Sequence, residues 1–193
     1  MVLTPSTMLD LGTQAPDFNL PDAVSGQIIS LANFQDKTAL LLMFICCHCP
    51  FVKHIEKEIA KLAQDYQSKS LGILAISSND VEKYPDDSPE KIKLMTQKLN
   101  LNFPFCYDET QEVAKSYTAA CTPDFFLYNS ARKLVYRGQL DDSRPSNQIP
   151  VTGADLRQAI DCLLAHKPLD FPQKPSIGCN IKWKPGNEPD YFG

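Results

Sequence analysis

A chain of 193 residues, 43% hydrophobic and 22% charged, carries a net charge of only −4. That size suits one domain with its own core, and the weak charge excludes the basic face of a nucleic-acid binder. No stretch approaches the ~20 apolar residues of a membrane span, and Met1 to Asp10 hold neither a basic residue nor a sustained apolar run, so they do not read as a signal peptide and the expected location is cytoplasmic.

Up to Asn33 the chain is dense in turn formers, including Ala15-Pro16-Asp17-Phe18, Leu20-Pro21-Asp22 and Ser25-Gly26, with Ile28, Ile29 and Leu31 following the last. This predicts an N-terminal β-hairpin extension. Lys37 to Ile45 is a nearly continuous apolar run of strand length, as a strand buried on both faces requires. From Phe51 to Tyr66, apolar Val52, Ile55, Ile59, Leu62, Ala63 and Tyr66 recur on one helical face, with Lys53, Glu56, Lys57 and Lys61 outside it. Leu71 to Ile76 is a second buried strand, so strand, helix and strand form a parallel βαβ unit.

Val81 to Pro89 is polar and broken by proline. A helix is predicted from Glu90 to Leu99, with Ser88 as N-cap and Pro89 in the first turn, and a short one from Glu109 to Tyr117. Asp124–Asn129 and Leu134–Gly138 read as a strand pair, and Asp155 to Ala165 as the last helix. The charged loop from Arg137 to Pro145 reads as a solvated turn. The segment 167–193, with prolines at 168, 172, 175, 185 and 189, has no periodicity and is expected to be an irregular tail on the surface of a single domain spanning 1–193.

Seven cysteines remain to be explained, and three of them (Cys46, Cys47 and Cys49) fall within four residues. The run Cys46-Cys47-His48-Cys49-Pro50 places a C-x-x-C between a buried strand and a helix. Unsatisfied N–H groups and aligned peptide dipoles at a helix N-terminus favour a thiolate, the nucleophile of disulfide exchange. The spacing lets the second sulfur resolve a mixed disulfide on the first. His48 between them would stabilise the charge, so Cys46 is expected to be unusually acidic. Zinc binding is the competing reading, since Cys-Cys-His-Cys offers four donors; structural zinc sites, however, usually draw on two separated pairs, and no second C-x-x-C exists here.

Ala15-Pro16-Asp17-Phe18, the stretch Phe44 to Lys53 around the cysteines, and Cys121-Thr122-Pro123-Asp124-Phe125 together resemble the thioredoxin-like superfamily, on its AhpC/TSA-type redoxin branch. The likeness spans nearly the whole chain and is similar to a bacterial group that carries Asn where Cys47 stands. It implies an α/β thioredoxin-like fold: a central mixed β-sheet flanked by helices, with the hairpin in front and the long tail behind. It also implies a cis-proline at Pro123, with Thr122 offering backbone groups to a substrate near the active sulfur.

Two mechanisms follow from the resemblance. In thiol–disulfide exchange, Cys46 attacks and Cys49 resolves. In a peroxiredoxin-like peroxidase, Cys49 of Cys49-Pro50 attacks peroxide. The Thr or Ser that peroxiredoxins carry three residues earlier is Cys46 here, and their Arg near the Thr122-Pro123 strand is missing, which favours exchange. A non-catalytic metal- or protein-binding module is the third reading. The buried acid of thioredoxins is replaced by Leu40, leaving Lys53, His54 and Glu56 as candidate proton relays. Cys121, Cys179 and Cys47 are candidate auxiliary redox thiols; Cys106 and Cys162 are expected in the core. The implied partners are protein or small-molecule disulfides and thiols with a thiol reductant, acting on a monomer or homodimer with no cofactor or metal.

Overall fold

In the computed structural model, which describes residues 3–192, β4 (Ala39–Phe44) is the centre of the molecule. All six of its residues are buried. Alternation along the strand sends Leu41 and Met43 to one face and Leu40, Leu42 and Phe44 to the other, so both faces need apolar cover and the run has no polar positions. On one face lie α1 (Pro50–Asp65), α2 (Pro89–Leu99) and α4 (Ala154–Leu164), through Val52, Ile55, Ile92 and Leu156. On the other lie α3 (Glu112–Ser116) and the N-terminal segment, through Val113, Phe18 and Phe34.

β4 pairs in parallel with β5 (Leu71–Ser77), which pairs in parallel with β6 (Phe105–Tyr107). On its other edge β4 runs antiparallel to β8 (Asp124–Asn129), which pairs antiparallel with β9 (Leu134–Gly138). The five-stranded order β6-β5-β4-β8-β9 is therefore mixed, and with its helices it is the expected thioredoxin-like architecture. The N-terminal hairpin is present as β2 (Asn19–Pro21) against β3 (Ile28–Ser30). The predicted helix after Ser88 begins at Pro89 with Ser88 extended at the N-cap. The short helix starts later than expected, because Gln111 adopts a left-handed conformation at φ 65°.

Three expectations change. The tail is not irregular throughout: Ile177–Asn180 forms β10, which pairs antiparallel with β1 (Leu3–Pro5) on one side and with β7 (Cys121–Thr122) on the other. Four residues with a glycine among them give no readable period. The loop after β9 is not a solvated turn: Asp141 and Ser143 are buried, and Asp141 accepts the amides of Thr152 and Gly153 at 2.7 and 2.6 Å, tying down the approach to α4. Cys162 lies half-buried on α4, outside the core, whereas Cys106 is buried as expected. Among the described residues, no helix is long and apolar enough to cross a membrane.

Candidate active site

β4 ends at Phe44 and α1 begins at Pro50, which leaves the cysteine motif as the turn between them. Cys49 is the N-cap of α1, extended at φ −64° and ψ 124°, and Pro50 supplies a first helical residue with no N–H to satisfy. Cys46 and Cys49 are both 0% exposed. Cys47 and His48 are half-buried. The Thr122–Pro123 peptide bond is cis, as the resemblance implies.

Thr122 touches both sulfurs of the pair. Its Oγ1 is 3.4 Å from the Cys46 Sγ, and its carbonyl oxygen lies 3.2 Å from the Cys49 Sγ. A third sulfur completes the group: the Cys179 Sγ lies 2.7 Å from the Cys49 Sγ. Cys49 is thus the middle of three thiols. Hydrogen bonds from Cys179 and then from Cys46 hold its pKa far below the ordinary thiol value, against the opposing effect of burial. The same bonds push the outer two thiols up, reinforced by burial. Cys49 is therefore lowered and Cys46 raised, the reverse of the expected order. The physical reason is position: the middle sulfur receives two donors, while the Asp87 carboxylate further disfavours charge on Cys46.

Asp87 is the acid the sequence reading lacked. It is wholly buried and accepts the amides of Cys47 and His48 at 2.7 and 3.0 Å, the His48 Nδ1 at 2.5 Å and the Asn79 amide at 2.7 Å. Burial alone would raise its pKa, but His48 and Asn79 outweigh it and hold the carboxyl below its usual range. Asp87 in turn raises His48, against some burial. The imidazole stacks on Tyr84 at 5.6 Å between centroids, and its Nδ1 is 3.9 Å from the Cys46 Sγ. Only the pair of adjacent aspartates after Pro85 hinted at this in the sequence.

Two of the earlier candidates for proton relay, His54 and Glu56, are engaged elsewhere. His54 bonds the Ser143 hydroxyl at 2.7 Å, and Glu56 pairs with Lys98 at 3.0 Å. Cys121 is buried and directs its thiol to the Pro123 carbonyl at 3.6 Å. Cys47 is pushed up to about 12 by burial and then by Asp87, which makes it a poor nucleophile. Donor atoms of Cys46, His48 and Asp87 all lie within 4.8 Å of one another. However, two donors on one tetrahedral zinc stand about 3.3 Å apart, given Zn–N and Zn–O bonds near 2.0–2.2 Å. The 2.5 Å contact between His48 and Asp87 is a hydrogen bond instead, so an ion would have to break it.

Comparisons with known proteins give the family and the fold. The family model described as the AhpC/TSA family matches residues 11–137. A crystal structure of an uncharacterized conserved protein from Geobacillus kaustophilus is 53% identical, with a TM-score of 0.94 over 96% of this chain and 98% of its own. A solution structure from Neisseria meningitidis, provisionally titled a thioredoxin, is 25% identical with a TM-score of 0.61 over 78% of this chain and 89% of its own. A Mycobacterium tuberculosis protein provisionally named a peroxiredoxin is 26% identical over 117 residues, 61% of this chain and 69% of its own length.

Proposed function

The chain belongs to the AhpC/TSA family, and within it we propose that it is a thiol–disulfide oxidoreductase whose redox pair is Cys46 and Cys49. The observation that carries the proposal is the contact of Thr122, next to the cis-proline, with both sulfurs at 3.4 and 3.2 Å. That contact presents a dithiol, joined by one shared charge, to whatever lies along the Thr122-Pro123 backbone.

In the forward step, the proton that Cys46 directs at Cys49 moves to Cys49, and the Cys46 thiolate attacks one sulfur of a substrate disulfide. The other substrate sulfur leaves as a thiolate. Cys49 then attacks the Cys46 sulfur, expels the second substrate thiolate and closes the Cys46–Cys49 disulfide. The substrate gains the two electrons the pair loses, and a thiol reductant restores the dithiol by the reverse exchange. Substrates are protein or small-molecule disulfides.

A second reading, peroxide reduction at Cys49, draws support from the low pKa of that thiol. Against it, the groups that hold the charge are Cys179, Cys46, the Val52 amide and the Thr122 hydroxyl, and none is a guanidinium. Trapping separates the two. For exchange, Cys49→Ser accumulates mixed disulfides through Cys46, and Cys46→Ser abolishes turnover. A sulfenic acid on Cys49 after peroxide, with full peroxide consumption in Cys46→Ser, would establish the peroxidase instead.

A further inference from the structure

The family match ends at residue 137 and the C-x-x-C lies within it, so β10 lies beyond both. Its placement is nevertheless specific. Cys179 stands opposite Thr122 in the antiparallel β10–β7 ladder, and residues directly opposite each other project to the same face. Gly178 makes this approach possible: a Cβ there would run into the Thr122 carbonyl. Ser176 fastens the strand by donating to the Pro123 carbonyl at 2.5 Å, while its amide donates to the Ser6 hydroxyl at 2.9 Å. On its other edge, β1 pairs Leu3 with Cys179. The thiol so positioned is 2% exposed and 2.7 Å from the Cys49 Sγ, against about 2.05 Å for a disulfide bond.

We infer that Cys179 is a third redox thiol, which takes Cys49 from the Cys46–Cys49 disulfide and so moves the bond onto β10. This rests on the exchange reading of the pair. The Cys179 sulfur, as its thiolate, attacks the Cys49 sulfur; the Cys46–Cys49 bond breaks as the Cys49–Cys179 bond forms. Cys46 leaves as a thiolate and takes up the proton that Cys179 gave up. No electrons enter or leave. The chain remains oxidised by two electrons, but Cys46, the attacking thiol of the exchange reading, is regenerated while the oxidising equivalent is held on Cys49 and Cys179. Substrates of this state are reductants that must expel Cys179 or Cys49, rather than Cys46.

The test oxidises the intact chain with oxidised glutathione, quenches with acid, caps remaining thiols with N-ethylmaleimide and maps disulfides by mass spectrometry. A Cys49–Cys179 linkage is expected in wild type. It is replaced wholly by Cys46–Cys49 in Cys179→Ser, with Cys46 capping at least tenfold lower in that oxidised variant than in oxidised wild type. If wild type yields only Cys46–Cys49 and Cys179 is capped throughout, the inference is overturned while the exchange reading stands. That mapping needs no variant to fold. If instead Cys179→Ser forms no Cys46–Cys49 linkage and turns over no disulfide, it is the pair that fails.

Discussion

The Asp87 carboxylate lies 2.5 Å from the His48 Nδ1 and also holds the His48 main-chain amide at 3.0 Å. His48 is therefore raised above its ordinary 6.5 and Asp87 lowered below its ordinary 3.8. The signs set a window. The His48 contribution is full below 6.5 and is lost as pH rises through the raised value. The Asp87 contribution is present above 3.8 and is lost as pH falls through the depressed one. Asp87→Asn should return His48 toward 6.5 in an NMR titration. It should also cost about 1–3 kcal/mol in urea unfolding near pH 6, because buried donors of the motif lose a charged acceptor.

Charge on the middle sulfur makes a spectroscopic prediction. Near neutral pH the cluster should show the ultraviolet absorbance of one thiolate. Cys49→Ser should abolish it; Cys47→Ser should leave it unchanged, since burial keeps that thiol protonated. An absorbance that survives Cys49→Ser but disappears in Cys46→Ser would place the charge on the outer sulfur.

Gly178→Ala tests the approach of β10 to the cis-proline. The added methyl meets the Thr122 carbonyl, a clash with backbone that no rotamer relieves, and overpacking of this kind costs about 1–3 kcal/mol. Because β10 covers the pair, the strand should lift: Cys46 alkylation in the reduced protein should rise at least tenfold over wild type. Unchanged alkylation would mean that the sulfurs are reached from elsewhere.

Asp124 follows the cis-proline, is wholly buried, and has one oxygen with no partner. Burial raises its pKa well above 3.8. For an acid raised on folding, stability is full below 3.8 and falls as pH rises toward the folded value, by about 1.4 kcal/mol for each pH unit within that window. Asp124→Asn, neutral throughout, should flatten this slope. Urea midpoints should converge in mild acid and favour the variant in mild alkali.

The elements of highest regularity were legible in the sequence. The apolar run ending at Ile45, the helical face from Val52 to Tyr66 and the strand pair around Asn129 each bury enough residues for their period to show. Thr122-Pro123 was legible through resemblance. The site was half legible. The strand–cysteine–helix order located the pair, but Asp87 sits 40 residues after Cys47 in a stretch whose prolines hide any pattern. Cys179 lies 130 residues from Cys49 in a tail whose pairing is decided by remote partners, Leu3–Pro5 and Cys121–Thr122. The relative acidity of Cys46 and Cys49 depends on that remote thiol, so no local reading of the motif could assign it.

The wide separation of Cys49 and Cys179 also has a meaning in time. A ribosome adding roughly 5–20 residues per second needs on the order of ten seconds to travel from one to the other. By the last part of that interval the motif and all five strands of the central sheet have been made, β9 ending at Gly138, while the strand that shields the pair is still unmade. A newborn chain thus passes through a stage in which its dithiol is open to any oxidant nearby, and synthesis of β10 closes it.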